Sequence, residues 1–257
     1  MNIRGCVGEQ SKERLQSALG VIGLEKLYKA VQTKQLDKST TLIHVHIGKC
    51  GGASLKRALS ESPKLKCQYD RVQKVHINKP PICKNAHYLV VVRNPIQRAI
   101  SAFNWRYHLV VEDGIQSDSF TGEYDILRKY KTLNNLGEAL YVKQALSEQV
   151  AADFEKIHHL HERISFYLTD LIAKVNPEQI RFVLAQESLD SDIESTLQVQ
   201  NEHQIHKHGD TVAAQKKQLS AMAYTNLKRY MRDDYRALEK LLSICNTCGA
   251  GDEVLLG

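Results

Sequence analysis

The feature that most constrains the fold is a continuous apolar strand that runs directly into a helix. The run YLVVVR (88–93) lacks alternating polar residues, which is typical of a central strand in a parallel sheet covered on both faces. Asn94 then suits a helix N-cap and Pro95 the first helical position, and apolar residues recur at helical spacing as far as Phe103. The run TTLIHVHI (40–47) leads into a second helical stretch in the same way. Strands that alternate with helices predict an α/β fold with a central parallel sheet.

The rest of the chain predicts helices around this sheet. A third strand is expected within 179–189, and a helical segment within 1–38. Residues 104–175 are polar and helical, and we expect them to form a large helical insertion over one edge of the sheet. The stretch 216–245 predicts a pair of amphipathic helices. We expect the whole chain, 1–257, to form a single domain.

Composition excludes several classes of protein. The net charge of +6 favours anionic partners, but no arginine-rich tract supports binding to nucleic acid. No run approaches the roughly 18 apolar residues of a membrane span, and the N-terminus lacks the apolar core of a secretory signal. The six cysteines have no framework spacing, which favours free thiols and a cytoplasmic location. Cys245 and Cys248 form a lone pair, and no second pair completes a zinc site.

The stretch HVHIGKCGGASL (44–55) predicts an anion site. Gly51 and Gly52 would allow the backbone to approach a phosphate closely, and the following helix start leaves N–H groups unpaired. Lys49 adds a positive charge and Ser54 a hydroxyl. A plain strand–turn–helix with a surface lysine is the alternative. Because Lys49 precedes both glycines, the order differs from that of an ATP- or GTP-binding P-loop, which disfavours a kinase.

The order Lys-x-Gly-Gly-x-Ser resembles the 5′-phosphosulfate loop of the sulfotransferase superfamily. The carbohydrate branch of that family carries loops such as HIPKTGGTSL. Three positions depart from it, because glycine, cysteine and alanine stand where the family has proline, threonine and another hydroxyl residue. The matching residues are His46, Ile47, Lys49, Gly51, Gly52, Ser54 and Leu55, and the departures are Gly48, Cys50 and Ala53.

A second stretch, VVVRNPIQRAISAFNWR (90–106), resembles the 3′-phosphate motif of the same family. That motif is a strand followed by R-[DN]-P-x-x-R-x-x-S-x-[YF], and it matches at Arg93, Asn94, Pro95, Arg98, Ser101 and Phe103. An arginine at a strand end can bind a phosphate with two donors, and a helical serine can add a third. The alternative is a salt-bridging arginine with an incidental serine. A weaker resemblance covers Glu187 and Leu189, in a later strand, and the C-terminal helix.

The resemblance implies a P-loop-like three-layer fold and a 3′-phosphoadenosine 5′-phosphosulfate (PAPS)-dependent O-sulfotransferase. The product would be 3′,5′-ADP, the acceptor a hydroxyl group on a carbohydrate or similar molecule, and no metal would be required. Lys49 would act on the leaving oxygen and the sulfuryl group. The cofactor would be held by Lys49, Cys50, Gly51, Gly52, Ala53, Ser54, Leu55, Arg93, Ser101 and, from a late basic loop, Lys207.

His76 is the candidate general base. It lies between the two motifs, where sulfotransferases of the 2-O type carry a catalytic histidine, and a neutral imidazole accepts a hydroxyl proton near neutral pH. A solvent-exposed histidine in a lysine-flanked loop is the alternative. His87 and Glu61 are further candidates for the base.

Two other features are interpreted as structural. On a helix, His158 and His161 would share a face that excludes His159, and no carboxylate stands at HExxH-like spacing, so we expect a solvated helix face rather than a metal site. Trp105 is interpreted as a packing residue. Two other functions are open at this stage: a nucleotide-dependent kinase of P-loop-like fold, and a non-catalytic nucleotide-binding protein.

Overall fold

A four-stranded parallel sheet forms the centre of the protein. The computed structural model describes residues 40–199, 217–245 and 253–256. The strands are β1 (Thr41–Val45), β2 (Arg71–Val75), β3 (Ala86–Val92), β4 (Tyr141–Val142), β5 (Ala145–Leu146) and β6 (Ile180–Ala185). The order across the main sheet is β2-β1-β3-β6, with every neighbouring pair parallel, and β4 pairs with β5 in a separate antiparallel hairpin. The predicted α/β class with a central parallel sheet is confirmed.

Helices surround this sheet on the described part of the chain, in an arrangement consistent with three layers. No helix there is both long enough and apolar enough to cross a membrane. The helices are α1 (Gly52–Glu61), α2 (Pro63–Gln68), α3 (Pro95–Tyr107), α4 (Glu123–Tyr130), α5 (Leu133–Ala139), α6 (Glu148–Glu155), α7 (Ile164–Lys174), α8 (Leu189–Leu197), α9 (Ala221–Tyr230), α10 (Arg232–Ile244) and α11 (Glu253–Leu256), with a π-helical turn at His108–Glu112 and a 3-10 turn at Pro177–Gln179.

Helix α3 begins as its sequence predicts. Oδ1 of Asn94 accepts hydrogen bonds from N of Ile96 and N of Gln97, at 3.0 and 3.1 Å, and Pro95 takes the first helical position. Because Pro95 has no N–H, these are two of only three amides at the helix start that lack an acceptor within the helix. The predicted apolar stripe of α3, which includes Phe103, is buried. The helix start is therefore fixed directly behind the end of β3.

The buried side chains form two clusters. The first lies around the sheet and includes apolar residues of β1, β3, β6, α7, α8 and α10. The second joins α3, α4, α5 and α9, with the chain that follows α6. Helix α7, which lies within the predicted insertion 104–175, packs in the sheet cluster through residues such as Leu168. The part of 104–175 that belongs to the second cluster therefore ends before α7.

Two elements differ from the sequence-based expectation. Strand β2 has the sequence RVQKV and lies exposed at the edge of the sheet, so it lacks the apolar run that marked the other strands. Residues 137–175, in the stretch that was expected to be helical, were expected to form one or two amphipathic helices, but β4 and β5 interrupt them. The turn of this hairpin places Lys143 and Gln144 at φ 48° and 70°, a conformation that usually carries Gly or Asn. The sequence therefore gave no turn signal there.

Candidate functional site

Four strand ends bring the candidate residues to one edge of the sheet. The chain leaves β1 for β2 on one side and later returns to β3 on the other, so the topological switch point lies between β1 and β3. Ligands of open α/β sheets bind in the crevice outside the strand ends at such a point. Lys49 follows β1, His76 follows β2, Arg93 follows β3 and Glu187 follows β6. The two predicted motifs therefore lie next to each other.

The β1–α1 loop (residues 46–51) ends in a backbone conformation that requires glycine. Gly51 is the N-cap of α1 with φ 81°, and a Cβ there would overlap Oε1 of Gln186 and Cδ2 of Leu189. The first bond within α1 runs from N of Leu55 to O of Gly51, at 3.4 Å. The amides of the first turn before Leu55 have no acceptor within the helix, and the positive end of the helix dipole lies with them.

Lys49 lies in the same loop, in the left-handed region with φ 67°. Its Nζ is 4.6 Å from the centroid of the Trp105 ring, which belongs to α3. Burial, and second to it the nearby charge of Arg93, lower the pKa of Lys49 to about 8. The predicted packing residue Trp105 thus contacts the candidate catalytic lysine through a cation–π interaction.

Arg93 links the two motifs directly. Its Nη1 donates a hydrogen bond to O of Lys49 at 3.2 Å, which uses one of the five guanidinium N–H donors. Oε1 of Glu187 accepts a bond from N of Asn94 at 2.9 Å, so the end of β6 is held against the start of α3. Ser101 lies farther along α3 and is partly exposed.

Arg98, the second arginine of the motif, is buried and engages backbone carbonyls. Its Nε donates to O of Gly48 at 2.9 Å, and its Nη2 donates to O of His159 at 2.7 Å and to O of Glu162 at 2.5 Å. Arg98 therefore ties the β1–α1 loop to the histidine loop (residues 156–163), which connects α6 to α7. Its role in this arrangement is to position these loops.

The other residues predicted to hold the cofactor lie in or directly after the β1–α1 loop, except for Lys207. Cys50 has its side chain in the sheet core, where burial raises the pKa of the thiol to about 11, and its N donates to O of Ile47 at 3.3 Å. Leu55 is also a core residue. Gly52 occupies the first position of α1, and Ala53 and Ser54 follow it there. Lys207 lies outside the described residues.

His76 follows the end of β2 and has a defined tautomer in its neutral form. Its Nδ1 is 3.1 Å from O of His46, and a carbonyl only accepts hydrogen bonds, so Nδ1 carries the proton. Nε2 is then the unprotonated nitrogen that can receive a proton. The ring centroids of His46 and His76 are 4.6 Å apart, and those of His76 and His159 are 6.3 Å apart.

The two further candidates for the base lie away from these strand ends. His87 is the second residue of β3, so it lies at the amino ends of the strands, opposite the carboxyl ends that hold Lys49 and Arg93. Its Nδ1 is 3.0 Å from the hydroxyl of Tyr69. Glu61 is the last residue of α1, and its Oε1 accepts from Nε of Arg57 at 2.8 Å. Neither shares the edge that holds Lys49 and Arg93.

The expectation that His158, His159 and His161 lie on a helix is wrong. These residues lie in the irregular histidine loop rather than on a helix, and Glu162 brings a carboxylate to two of them. Nδ1 of His158 is 3.5 Å from Oε1 of Glu162, and Nδ1 of His159 is 3.3 Å from Oε2. His161 is instead exposed, and its Nδ1 lies 3.6 Å from Oε2 of Glu155. The run HHLHE contained this signal, but a helical assumption assigned its members to the wrong faces.

Comparisons with protein-family models, with curated proteins and with solved structures find no match to this chain. We therefore infer its function from its residues and their geometry.

Proposed function

We propose that the protein is a PAPS-dependent O-sulfotransferase with a P-loop-like fold. The observation that carries the proposal is the adjacency of two motifs at the switch point of the sheet. Lys49 and the glycine-ended β1–α1 loop follow β1, and Arg93 follows the neighbouring parallel strand β3. The 3.2 Å bond from Arg93 to O of Lys49 joins them. Such a site offers one cation, Lys49, with the helix start, and a second cation, Arg93, on the neighbouring strand. A nucleotide that carries both a 5′- and a 3′-phosphate requires positive charge at two positions.

The residues present fit such a ligand. The first-turn amides of α1, which begin at Gly52 and have no acceptor within the helix, suit the 5′-phosphate. The remaining donors of Arg93, with the hydroxyl of Ser101, suit the 3′-phosphate. Cys50 and Leu55 would contribute only through the backbone, because their side chains lie in the core. When bound, PAPS supplies an activated sulfuryl group. Lys49 offers an ammonium to the oxygen that accumulates negative charge as that group leaves.

His76 is the proposed general base, which accepts the proton of the acceptor hydroxyl group. Because Nδ1 donates to O of His46, Nε2 is positioned as the accepting nitrogen. As the acceptor oxygen forms a bond to sulfur and the bond from sulfur to the 5′-phosphate breaks, the hydroxyl proton passes to Nε2. The products are the sulfated acceptor and 3′,5′-ADP. By resemblance to the carbohydrate branch, the acceptor is a hydroxyl group of a sugar.

The binding part of this proposal is tested with 3′,5′-ADP, 5′-AMP and ATP in thermal-shift and calorimetric titrations. We expect 3′,5′-ADP to stabilise the protein most, because only this ligand engages the 3′-phosphate site. Arg93→Ala should remove about 2 kcal/mol of that binding, roughly a thirtyfold loss, since it deletes charged hydrogen bonds. Arg71→Ala, which removes an exposed arginine of β2, is the matched control and should bind 3′,5′-ADP normally.

Two results would separate the alternatives. An equal shift with 5′-AMP and 3′,5′-ADP would contradict the proposed site. Binding of 3′,5′-ADP without transfer of sulfate to any carbohydrate acceptor would favour a non-catalytic nucleotide-binding protein. In the same assays His76→Ala should keep the 3′,5′-ADP shift and lose turnover. Full turnover in His76→Ala would assign the base to another residue.

A further inference from the structure

The histidine loop brings two imidazoles and a carboxylate to one point. Among the described residues, His158, His159 and Glu162 each offer one ligand atom, and these atoms lie within 4.8 Å of one another. His159 adopts φ 68°, a left-handed conformation that is uncommon for residues other than glycine. The loop therefore holds the three side chains together through a backbone that is not regular helix.

The distances in this cluster suit a shared cation better than direct hydrogen bonds. The two Nδ1–carboxylate separations, 3.5 and 3.3 Å, exceed the roughly 2.7–2.9 Å of a charge-assisted hydrogen bond. Ligand atoms placed about 2.1 Å from a tetrahedral zinc ion are about 3.4 Å apart. The Glu162 carboxylate lies at about this separation from each Nδ1 through one of its two oxygens, and the three ligand atoms lie within 4.8 Å of one another.

The protonation states are those that metal binding requires. Burial lowers the pKa of His158 to about 3, and it lowers the pKa of His159 as well, so both rings are neutral near pH 7. Burial alone would raise the pKa of Glu162, but its contact with His159 outweighs this and lowers the pKa to about 2. Neutral imidazoles and an ionised carboxylate do not have to release protons to bind a metal.

Neighbouring residues fix the cluster from three sides. Nη2 of Arg98 donates to O of His159 and O of Glu162, and Oε1 of Glu123 accepts from N of His158 at 2.8 Å. Glu123 is itself buried and paired with Arg106. The ring of Phe120 stacks on His158 with centroids 4.3 Å apart. Arg98 and Glu123 thus hold the backbone of the histidine loop, and Phe120 packs on the ring of one proposed ligand.

We propose that His158, His159 and Glu162 form a binding site for a divalent transition-metal ion of the zinc type. Two histidines and one carboxylate are a recurrent donor set for zinc and for non-haem iron, and they leave a further coordination position for water or a substrate atom. The site goes beyond the proposed sulfuryl transfer, which requires no metal, and either proposal can fail without the other.

The test uses the full-length protein, stripped of metal with EDTA and titrated with ZnCl₂ by calorimetry. We expect one zinc ion per chain at this site. Glu162→Gln and His158→Ala should each weaken binding by about a hundredfold, since each removes one of three protein ligands. His161→Ala, which alters an exposed neighbour in the same loop, is the matched control and should bind zinc normally.

A second measurement keeps the test decisive if the Glu162→Gln variant fails to fold. If circular dichroism shows that Glu162→Gln is unfolded, His158→Ala decides the outcome, and cobalt-loaded protein reports the ligands through its visible absorption. Cobalt absorption that changes in His158→Ala supports the site. Zinc binding that persists unchanged in His158→Ala, for example at the histidines of 203–208, overturns it, as does wild-type protein that binds no zinc. The 3′,5′-ADP shift of stripped protein tests the sulfotransferase proposal separately.

Discussion

Lys49 illustrates how far a motif determines the chemistry of a single residue. Its place before the two glycines predicts a cation at the end of β1, and the structure adds burial, the neighbour Arg93 and the ring of Trp105. Burial and the charge of Arg93 bring its pKa to about 8, so the ammonium is poised close to neutral pH. An anion that binds beside Lys49 favours its charged form and raises its pKa.

The pH dependence of nucleotide binding should follow this pKa. A bound phosphate raises the pKa of Lys49, so the affinity for 3′,5′-ADP should fall as pH rises above about 8, by up to about tenfold per pH unit. Calorimetric titrations between about pH 7 and about pH 9 measure this, above the range in which the phosphates titrate. Lys49→Arg keeps its charge throughout and should remove the decline. An identical decline in Lys49→Arg would exclude Lys49 as its cause.

At the scale of elements, the β1–α1 loop depends on what packs beneath it. Gly51 needs φ 81° and has Gln186 and Leu189, from the chain that follows β6, against its Cα. The loop is therefore supported by an element more than 130 residues away in sequence. The glycine pair was visible in the sequence, but this supporting contact depends on the strand order and was not.

Gly51→Ala should destabilise the protein more than a glycine change in an open position. Gly122 is the N-cap of α4 and has the same φ of 81°, but a Cβ there meets nothing within 4 Å. Gly122→Ala therefore measures the backbone cost alone, about 1 kcal/mol, and Gly51→Ala should cost about 1–3 kcal/mol more through overpacking. Urea unfolding of both variants gives the difference. Equal losses would show that the loop tolerates the added methyl group.

Elements were predictable where the apolar pattern is continuous. Strand β3 and helix α3 have an apolar run, an N-capping asparagine and a proline in sequence order, and the structure bears these out. Strand β2 has polar side chains at an exposed edge, and the β4–β5 turn lacks glycine, so neither carried a local signal. The histidine loop was missed because the run HHLHE was assumed to be helical, whereas Arg98 and Glu123, which are distant in sequence, bind the backbone of an irregular loop there.

At the scale of the whole molecule, neutral histidines are concentrated around one end of the sheet. Burial holds the pKa of His44 at about 3 and that of His46 at about 2, and it lowers those of His158 and His159. Within the described residues, Nε2 of His44 is buried without a hydrogen-bond partner. The folded protein thus resists protonation at several sites at once.

Acid should therefore unfold this protein early. These imidazoles take up protons near pH 6.5 in the unfolded chain but not in the folded one, so the free energy of unfolding falls as pH drops below about 6.5. We expect a loss of about 3 kcal/mol or more between pH 7 and pH 5, measured by urea unfolding. The slope of the free energy of unfolding against pH reports how many more protons the unfolded chain binds than the folded one. His44→Leu should reduce this number by up to about one proton, and His161→Ala should leave it unchanged. A stability that does not vary over this range would contradict the prediction.

The contact between Lys49 and Trp105 has an optical consequence. The chain contains one tryptophan, so its whole indole fluorescence comes from a ring with an ammonium 4.6 Å from its centre. A ligand that draws this ammonium away alters the local field on the excited indole and changes its emission. The intrinsic fluorescence of Trp105 therefore reports ligand binding next to the β1–α1 loop, and occupancy of that site can be followed in real time without a label.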